Sequence, residues 1–187
     1  MLRDLVVKNR SYRRWRQDPI PRETLLEWID LARLTPSGAN QQALKYIISD
    51  DAEKNARVYK RVGIDNNPPE GERAPVYIVI LEDQNIRMLT PADLGIAAQT
   101  IMLAATEAGY GGVMIGMIDR PALKQDLELP DHLQIALILA IGKTIEKVII
   151  DPQEPGTIAR QHWEDETLDV RHVPKRSLEE IVVDYPE

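Results

Sequence analysis

Residues 91–116 read PADLGIAAQTIMLAATEAGYGGVMIG, an apolar helix pattern that runs into a glycine-rich turn and then a strand pattern. Pro91 opens the helix, and Gly109 stands where a left-handed C-terminal cap belongs. Between them Leu94, Ile96, Ala97, Ala98, Ile101, Met102, Leu103, Ala104 and Ala105 surround the helix and form no single stripe. A helix apolar on every side must be covered on every side. It therefore lies at the centre of the domain or lends one face to another subunit. Its uncharged window, Leu94 to Thr106, is too short to span a bilayer.

On either side of this helix the chain alternates helix and strand signals. Leu2, Leu5 and Val6 predict a short helix ending near Lys8, and Leu25, Leu26, Trp28, Ile29, Ala32 and Leu34 mark a second that stops at Thr35-Pro36-Ser37-Gly38. Lys45 to Ser49 reads as a strand, and Asp51 to Arg61 as a helix with Asp50 or Asp51 at its N-cap. Pro75 to Leu81 and Leu133 to Ile141 are almost wholly apolar, as strands covered on both faces are. Gly112 to Ile118 reads as a strand, and Asp119 caps a short helix opened by Pro121. From Lys143 onward the chain is polar and proline-punctuated. It lacks the apolar residues for a core of its own, so it is expected to wrap around something else, with Glu164, Asp165 and Glu166 in a solvated loop.

Composition narrows the chemistry. The 187 residues are 43% hydrophobic and 28% charged, which fits one ordinary domain spanning 1–187 with an extended arm from residue 143. With no cysteine there is no disulfide, thiolate metal site or cysteine nucleophile, and His132, His162 and His172 lack metal-ligand spacing. Redox chemistry would need a borrowed cofactor. The net charge of −7 argues against nucleic acid as the main partner, yet residues 1–16 carry six Lys/Arg against Asp4. Such a local +5 suits a small anion. The opening MLRDLVVKNR has no apolar signal region, so the expected compartment is the cytoplasm.

Four stretches are candidates for a site. Asn9-Arg10-Ser11-Tyr12-Arg13-Arg14-Trp15 places guanidinium groups and a hydroxyl where they suit a phosphomonoester, and equally suits a solvated basic turn. Pro36-Ser37-Gly38-Ala39-Asn40-Gln41-Gln42 concentrates amides and hydroxyls of the kind that recognise a flat heterocycle, though such residues are also ordinary in loops. Gly109 to Gly116 is no dinucleotide fingerprint, because a helix precedes it and the third glycine falls on Met114. It allows close backbone approach, or it simply caps a helix. Val173-Pro174-Lys175-Arg176-Ser177-Leu178 carries two cations that close over an anion or lie on the surface.

Taken in order, NRSYRRW, PSGANQQ, DLGIAAQTIMLAATEAGYGGVMIG and VPKRSLEEIV resemble the nitroreductase family over nearly the whole chain. The resemblance implies an α+β fold, with a mostly antiparallel central sheet flanked by helices and a C-terminal arm that wraps the partner subunit. It further implies an intertwined homodimer with flavin mononucleotide (FMN) at the interface, NADH or NADPH as electron donor, and a flat acceptor such as a nitroaromatic or quinone. A flavin-binding carrier or sensor without turnover is the alternative. By matching positions, Arg10, Ser11 and Arg13 correspond to the phosphate and ribityl ligands, and Lys175 or Arg176 to the closing cation. Ser37, Asn40 and Gln42 correspond to the flavin loop, often supplied by the opposite subunit, and Ile115 and Gly116 to the strand beside flavin N5. Neither a catalytic side chain nor a metal is implied. The chain departs from the pattern at Asn9, where the family commonly has Arg, and at Ala43-Leu44, where it has Pro-Trp. It is also short between Arg61 and Pro75, which implies a more open pocket.

Overall fold

Two apolar runs form the middle of the main sheet. In the computed structural model, which describes residues 1–64, 67–86, 91–157 and 162–183, β2 (Val76–Asp83) pairs antiparallel with both β1 (Leu44–Ser49) and β4 (Leu133–Gly142). The short strand β3 (Gly111–Ile115) adds antiparallel to the far side of β4, giving the order β1-β2-β4-β3. Side chains alternate across β2, so Val76, Ile78 and Ile80 face one core and Tyr77, Val79 and Leu81 the other. Both faces are dry, which explains why β2 and β4 lack the polar alternation of a half-exposed sheet.

Helices α2 (Arg22–Arg33) and α4 (Pro91–Glu107) cover the first face through Leu25, Trp28, Ala32, Ala97, Ala98, Ile101, Met102 and Ala105. The second face is covered by Val58 of α3 (Ala52–Tyr59), Leu123 of α5 (Arg120–Asp126) and Trp15. Asp51 and Asp119 cap α3 and α5 by accepting from Lys54 N and Ala122 N. Gly109, at φ +81°, ends α4 as its position predicts, and Tyr110 N donates back to the Ala105 carbonyl at 2.8 Å. Within one chain α4 is covered on one side only. Ile96 stays 40% exposed, so the all-round apolar pattern is not used up by this unit.

Buried phenols lie on the two adjoining strands. Burial pushes the Tyr46 hydroxyl of β1 up to about 12, and burial raises Tyr77 of β2 further. An acid whose folded value is raised contributes stability that is complete below its unfolded value, about 10, and lost as pH rises through the folded one. Stability is thus expected to be flat up to about pH 10 and to fall between pH 10 and 12. Tyr46 contributes about 1–2 kcal/mol of that loss once its partial exposure is discounted. Urea midpoints measured against pH check this: Tyr46→Phe and Tyr77→Phe should each flatten the decline, and identical slopes in all three proteins would contradict it.

The chain divides into two compact units, Met1–Ile145 and Glu146–Glu187. The second, expected as an arm without a core of its own, carries a small three-stranded sheet. Parallel pairing joins β5 (Lys147–Pro152) to β7 (Val170–Lys175), and β6 (Trp163–Asp165) adds antiparallel to β7. Glu164 and Asp165, expected in a solvated loop, therefore lie in a strand. Polar pairing holds this sheet where apolar packing is scarce. The Arg171 side chain, 3% exposed, lies 3.0 Å from Glu146 and 2.7 Å from Glu164. The His172 ring stacks on Trp163 at 3.8 Å, with Nδ1 2.7 Å from Asp151. A one-turn helix, α6 (Leu178–Ile181), follows with Ser177 as its N-cap.

Candidate functional site

The basic segment that follows α1 (Leu2–Lys8) is extended and stitched to the sheet. Tyr12 N donates to the Gly112 carbonyl at 3.1 Å, Trp15 N to Glu72 O at 2.9 Å and Arg16 N to Lys143 O at 2.8 Å. Ser11 forms a parallel bridge with Gly112. Trp15 is completely buried, and its Nε1 donates to Gly111 O at 2.9 Å. This approach explains the first of the paired glycines, and the close packing of β3 on β4 explains the second. A Cβ on Gly111 would stand 2.4 Å from the Tyr12 ring, and one on Gly112 would stand 2.4 Å from the Ala140 carbonyl oxygen. The turn therefore does more than cap α4.

With Trp15 turned inward, the arginines on either side of it bond to acidic side chains and to main-chain carbonyls. Arg14 and Arg16 pair with Glu72 and Asp18, both at 2.6 Å. Arg10 and Arg13 donate to the main-chain carbonyls of Val6 (2.6 Å) and Ser11 (3.1 Å). Arg10 Nε is buried with no hydrogen-bond partner among the described residues. A guanidinium donor in that state is costly unless an anion reaches it. Asn9 points the other way: its Nδ2 donates to Met102 O at 3.1 Å and Thr106 Oγ1 at 3.0 Å, fixing the end of α1 on α4.

Ile115 is buried at the end of β3, three residues beyond the Ser11 bridge, and Gly116 follows it exposed. A Cβ on Gly116 would meet nothing within 4 Å, so the main chain there is open to approach by a flat group. Ser11 and the strand that ends at Ile115 are thus contiguous in one chain.

The loop at residues 36–42 is elsewhere. It forms a one-turn 3-10 helix over Gly38–Asn40 and carries Ala39, Asn40 and Gln42 at φ of 48°, 55° and 54°. Left-handed backbone costs a non-glycine residue about 1 kcal/mol or more, and such strain concentrates at functional loops. Ser37 Oγ accepts from Gln42 N at 3.2 Å, and Gln42 Nε2 donates to Asn40 O at 3.2 Å. Ser37, Gln42, Lys45, Tyr46 and Asp93 border a cleft of about 240 Å³. Gly38 N donates to Asp93 in the first turn of α4, whereas Asn9 bonds to Met102 and Thr106 in its last turns. At 1.5 Å per residue, nine to thirteen positions put these anchors about 14–20 Å apart along the helix. One chain therefore brings Arg10, Ser11 and Arg13 to β3 but leaves Ser37, Asn40 and Gln42 at the other end of α4.

Lys175 ends β7 opposite Pro152, and Arg176 Nη1 lies 3.5 Å from Glu180 Oε1; both belong to the second unit. Among the described residues no group of three or more His, Asp or Glu could hold a metal ion, and no helix is long and apolar enough to cross a membrane. The sequence reading assigned no role to Trp15 or Asp93. An acidic residue two positions after a helix-opening proline was the one available signal for Asp93, and it reads equally as a favourable charge at a helix start.

The model of the nitroreductase family matches residues 6–71 and 64–143. The FMN reductase (NAD(P)H) of Bacillus subtilis is 26% identical over 173 residues, covering 80% of this chain and 68% of that protein. Among solved structures, a nitroreductase family protein from Clostridium difficile is 25% identical, with a TM-score of 0.67 over 76% of this chain and 84% of that one. An iodotyrosine deiodinase bound to FMN and 3-iodo-L-tyrosine shares the fold at 21% identity, with a TM-score of 0.67 over 88% of this chain and all of that one.

Proposed function

We propose, because the chain belongs to the nitroreductase family, that it is an FMN-dependent oxidoreductase taking hydride from NAD(P)H and passing it to a flat acceptor such as a nitroaromatic or quinone. When bound, FMN supplies hydride exchange at its N5. The protein supplies position and charge. The reading rests on the Arg10 and Arg13 guanidinium groups and the Ser11 hydroxyl, carried on one segment that bridges β3 at Gly112. A phosphomonoester is the group that these donors fit. In this reading Arg10, Ser11 and Arg13 hold the phosphate end. The Ile115-Gly116 main chain lies along the reacting edge of the ring, where its openness admits a planar partner. No side chain acts as nucleophile or base.

The separation of the 36–42 loop from the arginine segment along α4 supports a homodimer in which Ser37, Asn40 and Gln42 of each chain complete the partner's site. The half-exposed side of α4 supplies apolar surface for such a contact. The FMN reductase relative takes NAD(P)H by its name, which supports the choice of donor.

The test is a visible spectrum of the purified protein with FMN, followed by anaerobic addition of NADH and then NADPH. A flavin spectrum that bleaches with either nicotinamide, and recovers when a quinone or nitroaromatic is added, is the expected result. Protein that stays colourless after incubation with FMN would overturn it. Bound flavin that neither nicotinamide bleaches would leave a carrier or sensor in place of the enzyme.

A further inference from the structure

The 36–42 loop holds a shape that Ala39 and Gln42 disfavour, since both are left-handed, as is Asn40 between them. Most of its hydrogen bonds stay inside it: Asn40 N to Ser37 O, Gln41 N to Gly38 O, Gln42 N to Ser37 Oγ and Gln42 Nε2 to Asn40 O. Bonds of that kind travel with the loop and do not fix it in space. Among the described residues, a bond that leaves it runs from Gly38 N to Asp93 Oδ1 at 2.9 Å, across 55 residues of sequence. Asp93 is 9% exposed and sits in the first turn of a 17-residue helix packed on the main sheet. A carboxylate so far from water is stabilised by donors and by the positive end of the helix. Its bond to a main-chain N–H is charge-assisted and so stronger than those inside the loop.

We infer that Asp93 is a positioning residue: anchored on α4, it holds the Gly38 main chain and thereby sets Ser37, Asn40 and Gln42 against the flavin. The inference rests on the proposed assignment of those three residues to the flavin. Asp93 itself touches no reacting atom.

Four proteins test it: wild type, Asp93→Ala, Asp93→Asn and Gly38→Pro. Gly38→Pro removes the donor without altering α4, and Ser37 already has the extended backbone (φ −131°, ψ 156°) that a following proline requires. It also keeps the inference falsifiable if Asp93→Ala does not fold. Amide hydrogen exchange of residues 37–42 is measured in flavin-free protein, and FMN affinity and the bound-flavin absorption spectrum are measured separately. Asp93→Ala and Gly38→Pro should each speed loop exchange about tenfold, weaken FMN binding about tenfold and shift the flavin bands. Asp93→Asn keeps an oxygen acceptor in place and should restore all three to within about threefold of wild type.

Unchanged loop exchange in Asp93→Ala and Gly38→Pro would overturn the tether. Faster exchange with unaltered affinity and spectrum would show a tethered loop that does not serve the flavin, overturning the inference and leaving the oxidoreductase reading intact. An Asn variant as damaged as Ala would assign Asp93 to the charge of the helix end instead of the bond to Gly38. A wild type that binds no FMN would remove the proposed function, and the flavin role of Asp93 with it.

Discussion

Replacing Arg10 and Arg13 together by alanine is expected to raise the dissociation constant for FMN by about a hundredfold or more while leaving the fold intact. Charge-assisted bonds to a phosphate are worth about 1.5–3 kcal/mol each, and even the lower figure for two residues gives that factor after partial screening. The fold should tolerate the change because the Arg10 side chain bonds locally, to Val6 O, and neither residue belongs to the two apolar cores. Arg10 Nε, buried without a partner among the described residues, adds nothing to the stability of the flavin-free protein. Quenching of free FMN fluorescence measures the affinity, and a urea midpoint within about 0.5 kcal/mol of wild type verifies the fold. The wild-type affinity should also fall with added salt, and that of the variant should respond much less. A dissociation constant within about threefold of wild type would remove these arginines from the site.

Trp15→Ala should cost about 3–5 kcal/mol, the range for emptying the place of a large buried aromatic. Trp15 has no exposed surface, packs in the second core with Tyr77, Ala140 and Leu123, and bonds through Nε1 to Gly111. It also pins the segment that carries Arg10 and Arg13 to the sheet. FMN binding should therefore weaken even when the affinity is corrected for the fraction folded. Trp15→Phe keeps most of the ring and loses the Gly111 bond, so it should cost about 1–2 kcal/mol, with FMN affinity near wild type. Urea denaturation followed by far-UV circular dichroism reads both. A wild-type midpoint for Trp15→Ala would contradict the role given to this residue.

Much of the fold could be read from local pattern. The Pro91 start, the Gly109 cap, the Asp51 and Asp119 caps and the dry strands β2 and β4 depend on residues close together in sequence, where propensity and periodicity act. The second unit escaped that reading because β6 and β7 are polar and are held by Arg171, Glu146, Glu164, His172 and Asp151. Period-two hydrophobicity cannot flag strands whose pairing is ionic. The candidate site was legible as four separate motifs, but the role of Asn9 was not: an amide at the end of α1 gives no sign that its acceptors lie more than ninety residues away on α4.

By itself the sequence determined the kinds of group on offer: guanidinium donors at Arg10 and Arg13, an amide-rich loop at Ser37 to Gln42, an open main chain at Gly116, and no cysteine with which to do redox chemistry unaided. Tertiary structure alone decided which of them meet. Gly111 leaves room for the basic segment to lie on β3, which joins the arginines to that strand, while the length of α4 keeps the loop of the same chain away from them. The physical reason is that residue types fix which bonds a chain can make, whereas steric room and the rise of a helix fix which partners come within reach.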